Sequence, residues 1–205
     1  MATDDAIAKL KRDARRFKKL LRGHGYPDKL LSSIDTRALR SGRRQTGPFQ
    51  SNRNPRWTLV HDDPERGTDP QYGTEIDCRR IQLILLLGTL EFSNAPAVND
   101  PVVAELAQRY LGRDLQPGSY RDSLLLEHLD FEALKAEALD PSHGKSSFHL
   151  GHEDPTQVPK HVPENVAWRS LRSNLIQGDM TLREARIYII KLIARYFELG
   201  EIQLD

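Results

Sequence analysis

Hydrophobic residues recur at helical spacing along most of this chain. In residues 4–22 the apolar positions are three or four residues apart, and lysine and arginine fill the opposite side, which predicts an amphipathic helix. Its apolar positions are Ile7, Leu10, Ala14, Phe17, Leu20 and Leu21. Gly23 and Gly25 end this helix, and Pro27 opens a second short one.

Three later segments carry helix signals of their own. The Ile/Leu run within residues 74–91 predicts a helix at the buried centre of the core. Asp100-Pro101 supplies a cap and a first-turn proline for a helix that ends at Gly112. Residues 119–138 predict one or two short acidic helical pieces, and Thr181 with Glu184 forms a capping box that opens a last helix with an apolar stripe.

Between Ser41 and Gly73 the pattern changes, because Gly, Pro, Asn, Arg and Asp dominate and apolar residues are few. This composition predicts a long loop with room for a short hairpin, in which only Trp57-Thr-Leu-Val has the character of a strand.

Composition places the chain among folded globular proteins, since 38% of its 205 residues are hydrophobic and 29% are charged. Its longest apolar run is shorter than the roughly 18 residues of a membrane span, and its start does not have the layout of a signal peptide. We therefore expect a cytoplasmic protein with no membrane partner. The single cysteine, Cys78, is interpreted as an inert thiol.

The net charge of +1 hides a strong asymmetry. Residues 1–54 contain 14 Lys/Arg and 5 Asp/Glu, whereas the rest contains 16 basic and 24 acidic residues. A basic segment of this strength attracts a polyanion such as nucleic acid, or an acidic membrane. It is equally compatible with a solvated helix face that binds nothing.

The most informative segment runs from Gly144 to Asp179 and contains Gly-His152-Glu-Asp-Pro155, Glu164-Asn165-Val and Asn174-Leu-Ile-Gln-Gly178. These three elements, with the two asparagines nine positions apart, resemble the HNH or ββα-metal nucleases. The resemblance covers about 36 residues. It implies a strand ending at the histidine, a second strand and a helix that carries the second asparagine.

The resemblance assigns a role to each matched residue. His152 is the general base, because an imidazole with an ordinary pKa of about 6.5 suits removal of a proton from water. Asn165 orients His152 through its backbone carbonyl and ties the loop with its side chain. Asn174 is a ligand of one divalent ion, Mg²⁺ or a substitute such as Mn²⁺, for which an amide oxygen is suitable.

The sequence departs from the family where a metal-ligating Asp or His precedes the base, since Gly151 stands there. His149 and Glu153 share the strand face of Gly151, and His149 is the preferred replacement, with Glu153 or Asp154 favoured instead by a bulge. Lys160 and His161 are further candidates for substrate contact, the latter with loop stabilisation as its alternative role. Ser170 and Ser173 replace the cysteines of zinc-binding family members, so no structural zinc is expected.

The function implied is hydrolysis of double-stranded DNA by a Type II restriction endonuclease, a homodimer acting on a palindromic site. Four arginines are candidates for contacts with guanine and phosphate: Arg43, Arg44, Arg53 and Arg56. The alternatives are a homing, phage or nonspecific nuclease of the same family, or a DNA-binding protein that does not cleave. The expected fold is mainly α with a small α+β element, divided into a helical recognition region (1–142) and a nuclease region (143–205) whose motif packs on the terminal helix.

Overall fold

The structure is a computed structural model that describes residues 2–44, 53–58, 73–141 and 146–202. Its helices are α1 (Ala2–Arg22), α2 (Asp28–Leu39), α3 (Glu75–Thr89), α4 (Pro101–Leu111), α5 (Phe131–Leu139), α6 (Leu171–Gln177) and α7 (Leu182–Glu198). Its strands are β1 (Arg40–Arg44), β2 (Arg53–Pro55), β3 (Phe148–His152) and β4 (Val166–Ser170). They form two antiparallel pairs, β1–β2 and β3–β4. The prediction of a mainly helical chain with a small β element is confirmed.

Helix α3 is the centre of the core. Its side chains are buried through most of its length, and it packs against α1, α2, α4 and β4. Thr74 and Asp77 cap its first turn reciprocally, so the start of α3 is fixed locally. The predicted amphipathic face of α1 is also confirmed, since Leu10, Ala14 and Phe17 are buried in the same core.

The β3–β4 hairpin is attached to the helical core through Trp168. This side chain is fully buried, and its indole Nε1–H donates to the Leu85 carbonyl of α3 at 2.9 Å. The Trp168 backbone N–H donates to the Tyr120 hydroxyl at 2.9 Å, and Arg37 of α2 donates to the Phe148 carbonyl at 3.3 Å. The hairpin is therefore held from three parts of the chain.

One segment differs from the sequence expectation. Trp57 and Thr58 lie in a 3-10 turn (Arg56–Thr58) and not in a strand, while residues 59 and 60 of the predicted strand lie outside the described residues. The strand partner of β1 is the segment Arg53–Pro55.

The prediction of one or two short helical pieces in residues 119–138 is met by the single helix α5. Residues 119–130 before it form turns and isolated bridges, since Asp122 accepts backbone N–H groups of Leu124 and Leu125 and favours a turn there.

Helix α7 begins at the predicted capping box of Thr181 and Glu184. The sequence predicts that the apolar stripe of α7 covers the back of the motif, and the structure differs. Ala185 is the one buried residue of α7, and residues 191–200 are exposed. Most of the stripe is therefore not covered by the described residues.

Among the described residues no helix combines the length and hydropathy needed to cross a membrane. The expected boundary between regions 1–142 and 143–205 falls within residues 142–145, which lie outside the described residues. The division of the chain into two regions stays a prediction.

Candidate active site

The candidate site is built on a strand, a second strand and a helix that follow one another in the chain. In the β3–β4 ladder, Gly151 pairs with Ala167 and His152 with Val166. Helix α6 begins directly after β4, where the Ser170 hydroxyl accepts the Ser173 N–H and caps the helix. Short-range sequence features therefore bring His152 and the helix that carries Asn174 together.

His152 ends β3 in a half-buried position. Burial and then the positive charges of Lys160 and Arg56 lower the pKa of this imidazole to about 4. Its Nε2 atom is buried and finds no hydrogen-bond partner among the described residues. At neutral pH the ring is therefore uncharged and can accept a proton.

His161 lies beside His152, with ring centroids 5.9 Å apart and a T-shaped arrangement. It is fully buried, and its Nε2 lies 2.9 Å from the Ala38 carbonyl at the end of α2. Since a carbonyl only accepts, Nε2 carries the hydrogen. Burial, followed by the charge of Arg56, lowers the His161 pKa to about 3. This contact joins the loop after His152 to α2.

Asn165 organises that loop with every polar group of its side chain. Its Oδ1 accepts the Asp154 N–H at 2.7 Å, and its Nδ2 donates to the carbonyls of Asp154 and Lys160. Its own carbonyl accepts the Glu153 N–H at 3.0 Å. The backbone on both sides of the loop is thus fixed directly after His152.

Gln177 has a structural role that the sequence did not reveal. Its buried side chain donates from Nε2 to the His152 carbonyl at 2.9 Å and to the Met180 carbonyl at 3.0 Å. These contacts join the end of α6 to the end of β3. The only sequence signal for this role was the position of Gln177 next to Gly178 in the matched motif.

The space beside Gly151 is occupied by an arginine. A Cβ atom at residue 151 would lie 2.5 Å from Cγ of Arg169 and 3.3 Å from Oδ1 of Asn174. Arg169 is fully buried, so this aliphatic stem has little freedom to move. Gly151 is therefore required by packing, and Asn174 places its amide oxygen against the same point of the strand.

Arg169 is held by a buried network around Asp122. Its Nε lies 3.5 Å from Asp122 Oδ2, and neither side chain is exposed. Its Nε and Nη2 donate to Ser173 Oγ at 2.9 and 2.7 Å. Burial opposes ionisation of Asp122, but hydrogen bonds from Ser173 and from backbone N–H groups outweigh it and keep the Asp122 pKa below its usual value. Nothing in the sequence pairs Asp122 with Arg169, because the two residues are far apart in the chain.

The candidates for the missing metal ligand are occupied by other contacts. His149 Nε2 lies 2.9 Å from the Ser146 carbonyl. Glu153 Oε1 accepts from the Ser123 hydroxyl at 2.8 Å and lies 3.7 Å from Arg169 Nη1. Asp154 accepts the N–H and hydroxyl of Thr156. In the described part of the chain, no three His, Cys, Asp or Glu side chains are grouped as metal ligands.

Asn174 offers the oxygen donor that a hard divalent cation prefers, and the choice of a further ligand among His149, Glu153 and Asp154 stays a prediction. Asn174 is half-buried and is the one matched ligand that faces Gly151. Mg²⁺ keeps several water molecules and commonly combines few protein ligands with substrate phosphates. An amide oxygen suits this chemistry.

The structure describes one of the four candidate arginines in full. Arg56 donates to the Arg37 carbonyl at 3.0 Å, and its charge contributes to the low pKa values of His152 and His161. It therefore lies close to the candidate site. Arg43, Arg44 and Arg53 belong to β1 and β2, but their side chains lie outside the described residues.

The buried His161 should make stability depend on pH. Its pKa is about 6.5 when exposed and about 3 in the folded protein, so the unfolded chain binds the extra proton between these values. The free energy of unfolding should fall as pH decreases from 6.5, by up to about 1.4 kcal/mol per pH unit from this group. Urea unfolding at several pH values measures the slope. His161→Gln should flatten it relative to the parent and to the exposed-site control His128→Gln, and equal slopes would contradict the prediction.

Gly151→Ala should destabilise the protein by about 1–3 kcal/mol, because the new methyl group would collide with the immobile stem of Arg169. Gly88→Ala is the matched control, since its Cβ would meet its nearest neighbour at 3.3 Å and alanine favours a helix. Chemical denaturation measures both. A Gly151→Ala variant as stable as the parent would show that Arg169 does not occupy this space.

Comparison with known proteins gives a likeness among solved structures. No family model matches the sequence, and no curated protein does. Among solved structures, the chain is similar to one described as the crystal structure of a type II restriction endonuclease, at 15% sequence identity and a TM-score of 0.58. The alignment covers 81% of this chain and 79% of that chain. At this identity the likeness shows a shared fold.

Proposed function

We propose that this protein is an HNH-type endonuclease that hydrolyses phosphodiester bonds of double-stranded DNA. The observation that carries the proposal is the position of His152 and Asn174. A buried, uncharged imidazole ends β3, and the Asn174 amide oxygen lies against the adjacent residue, Gly151. The strand–strand–helix order agrees with the motif resemblance, and the fold shared with a restriction endonuclease supports it.

In the proposed reaction, His152 removes a proton from the attacking water. A low pKa keeps the imidazole in its basic form throughout the neutral range. Asn165 and Gln177 act as positioning residues, because the first fixes the loop after His152 and the second holds the His152 carbonyl to α6. The backbone is thus held on both sides of residue 152, while the Asn165 carbonyl accepts the Glu153 N–H and not the imidazole.

The proposed cofactor is a single divalent cation, Mg²⁺ or a substitute such as Mn²⁺. When bound, it supplies positive charge that stabilises the phosphate and the leaving oxygen. Asn174 would hold it through its amide oxygen, and Glu153, directly after β3, is a candidate carboxylate ligand. Arg169 leaves no space for a ligand at residue 151.

The basic N-terminal part is the proposed source of DNA binding. Exposed lysines and arginines line α1: Lys9, Arg12, Arg15, Arg16, Lys19 and Arg22. Their charge would attract the phosphate backbone, while Arg56 adds positive charge near His152. Site-specific cleavage by a homodimer, as in Type II restriction, is the form of activity we favour.

A non-cleaving DNA-binding protein is the second candidate. It is favoured by the buried Arg169, which takes the space of the first metal ligand. The two proposals differ in one result, because a binding protein would retard DNA in a gel and leave it intact with or without divalent ions.

His152→Ala should reduce DNA cleavage by about 10²–10⁴-fold while DNA binding is retained, because the general base is removed and the basic surfaces are not changed. Plasmid and phage DNA incubated with Mg²⁺ or Mn²⁺ provide the assay, and discrete fragments would indicate a specific site. His128→Ala, at an exposed position, is the control and should cut like the parent. Equal cleavage by His152→Ala would exclude it as the base.

Asn174→Ala should lower cleavage by at least about 100-fold at low Mg²⁺, since the matched protein ligand is lost. Higher metal concentration should restore part of the activity, which loss of the base in His152→Ala would not allow. Binding of Mn²⁺, followed by electron paramagnetic resonance, gives a readout independent of cleavage. Unchanged Mn²⁺ affinity in Asn174→Ala would place the ion elsewhere.

A further inference from the structure

Helix α7 presents the largest group of exposed apolar side chains in the described structure. Six of them expose between 42% and 68% of their surface: Tyr188, Ile190, Ile193, Tyr196, Phe197 and Leu199. We call this set the α7 apolar surface. If each such side chain has roughly 150–250 Å² of surface, together they expose roughly 500–800 Å².

This surface lies at or above the upper end of the range for a monomer. The largest apolar patch of a monomeric protein is commonly about 300–600 Å². One partner in a stable protein–protein interface buries about 800 Å². The α7 apolar surface and the polar rim around it therefore have the size of one side of a specific interface.

The side of α7 that meets the body continues outward without interruption. Ala185 is buried against the body, and Ile189, Leu192 and Tyr196 follow it at four, seven and eleven residues, which is the spacing of one helix face. The face is covered at its start and exposed beyond it. A second helix could pack along the exposed part.

The charges beside this surface favour a second copy of the same helix. From Arg183 to Glu201 there are four basic and three acidic residues. A helix that lies on an anionic membrane, or that binds DNA, would carry a predominantly basic polar face. A balanced set of charges around an apolar centre is instead complementary to itself, as a twofold interface requires.

We infer that two copies of this chain associate by packing their α7 apolar surfaces against each other, with the helices antiparallel about a twofold axis. This names the surface of the dimer in the proposed function, and only its use in cleavage rests on that proposal. The start of α7 is joined to the site by the Leu182 N–H, which donates to the Glu153 carbonyl at 2.8 Å. Pairing of α7 would therefore fix the two sites relative to each other.

The first test compares oligomeric state without DNA, by light scattering and sedimentation equilibrium. The parent should be a dimer at micromolar concentration. The double variant Ile190→Glu/Ile193→Glu should be monomeric, with a dissociation constant raised at least about 100-fold, because unpaired carboxylates would be buried in the interface. Leu139→Glu, at a similarly exposed leucine on α5, is the matched control and should remain a dimer. Thermal unfolding and circular dichroism check that each variant is folded.

The second test uses the fact that the chain has one cysteine, Cys78, which is buried. Ile193→Cys adds an accessible thiol near the middle of the surface, and mild oxidation should yield a covalent dimer. Lys191→Cys, on the opposite side of α7, should give far less.

Three results would overturn the inference: a monomeric parent at tens of micromolar, a dimer that persists in the double variant, or a monomeric parent that binds phosphatidylserine vesicles through this surface. A dimer that never cleaves DNA would instead contradict the proposed nuclease.

Discussion

The candidate site depends on the buried pair of Arg169 and Asp122. Burying two charges is costly, and it is tolerated where hydrogen bonds satisfy them. Here Asp122 accepts backbone N–H groups from Leu124, Leu125 and Ser170, while Arg169 donates twice to Ser173. These contacts join the 119–130 turns, β4 and α6. Removing Arg169 would leave Asp122 buried without its counter-charge, whereas Arg169 also lies 3.7 Å from Glu153. The pair therefore links the strand and the helix of the site to the turns before α5.

The same pair determines what the site can contain. Because the Arg169 stem crosses the face of β3, residue 151 has to be glycine, and a carboxylate or imidazole cannot be placed there. The neighbouring acidic residue, Glu153, is held by Ser123. Asn174 is then the matched side chain left to bind a cation. The stem of the ion-paired Arg169 thus occupies the space beside Gly151, and the proposed site would rely more on water and substrate phosphate to complete the coordination.

The sequence predicted the parts of the structure that depend on neighbours in the chain. The predicted capped starts of α4 and α7 agree with the structure, because a cap needs only residues two or three positions away. His161 shows the opposite case, since its position depends on the Ala38 carbonyl 123 residues earlier. The exposure of α7 could not be predicted from the sequence either. An amphipathic stripe has the same pattern whether its own chain or another chain covers it.

The positive charges near His152 affect both its protonation and the binding of the proposed substrate. Lys160 and Arg56 surround the imidazole with positive charge and, together with burial, keep it unprotonated. The same two charges would attract a phosphodiester, so one arrangement both draws the substrate and preserves the base. Once a phosphate is bound, its negative charge opposes those of Lys160 and Arg56, and the proton affinity of His152 rises as water has to be deprotonated. A pKa of about 4 makes the imidazole a weak base in the free protein, so removal of a proton from water would depend on this rise.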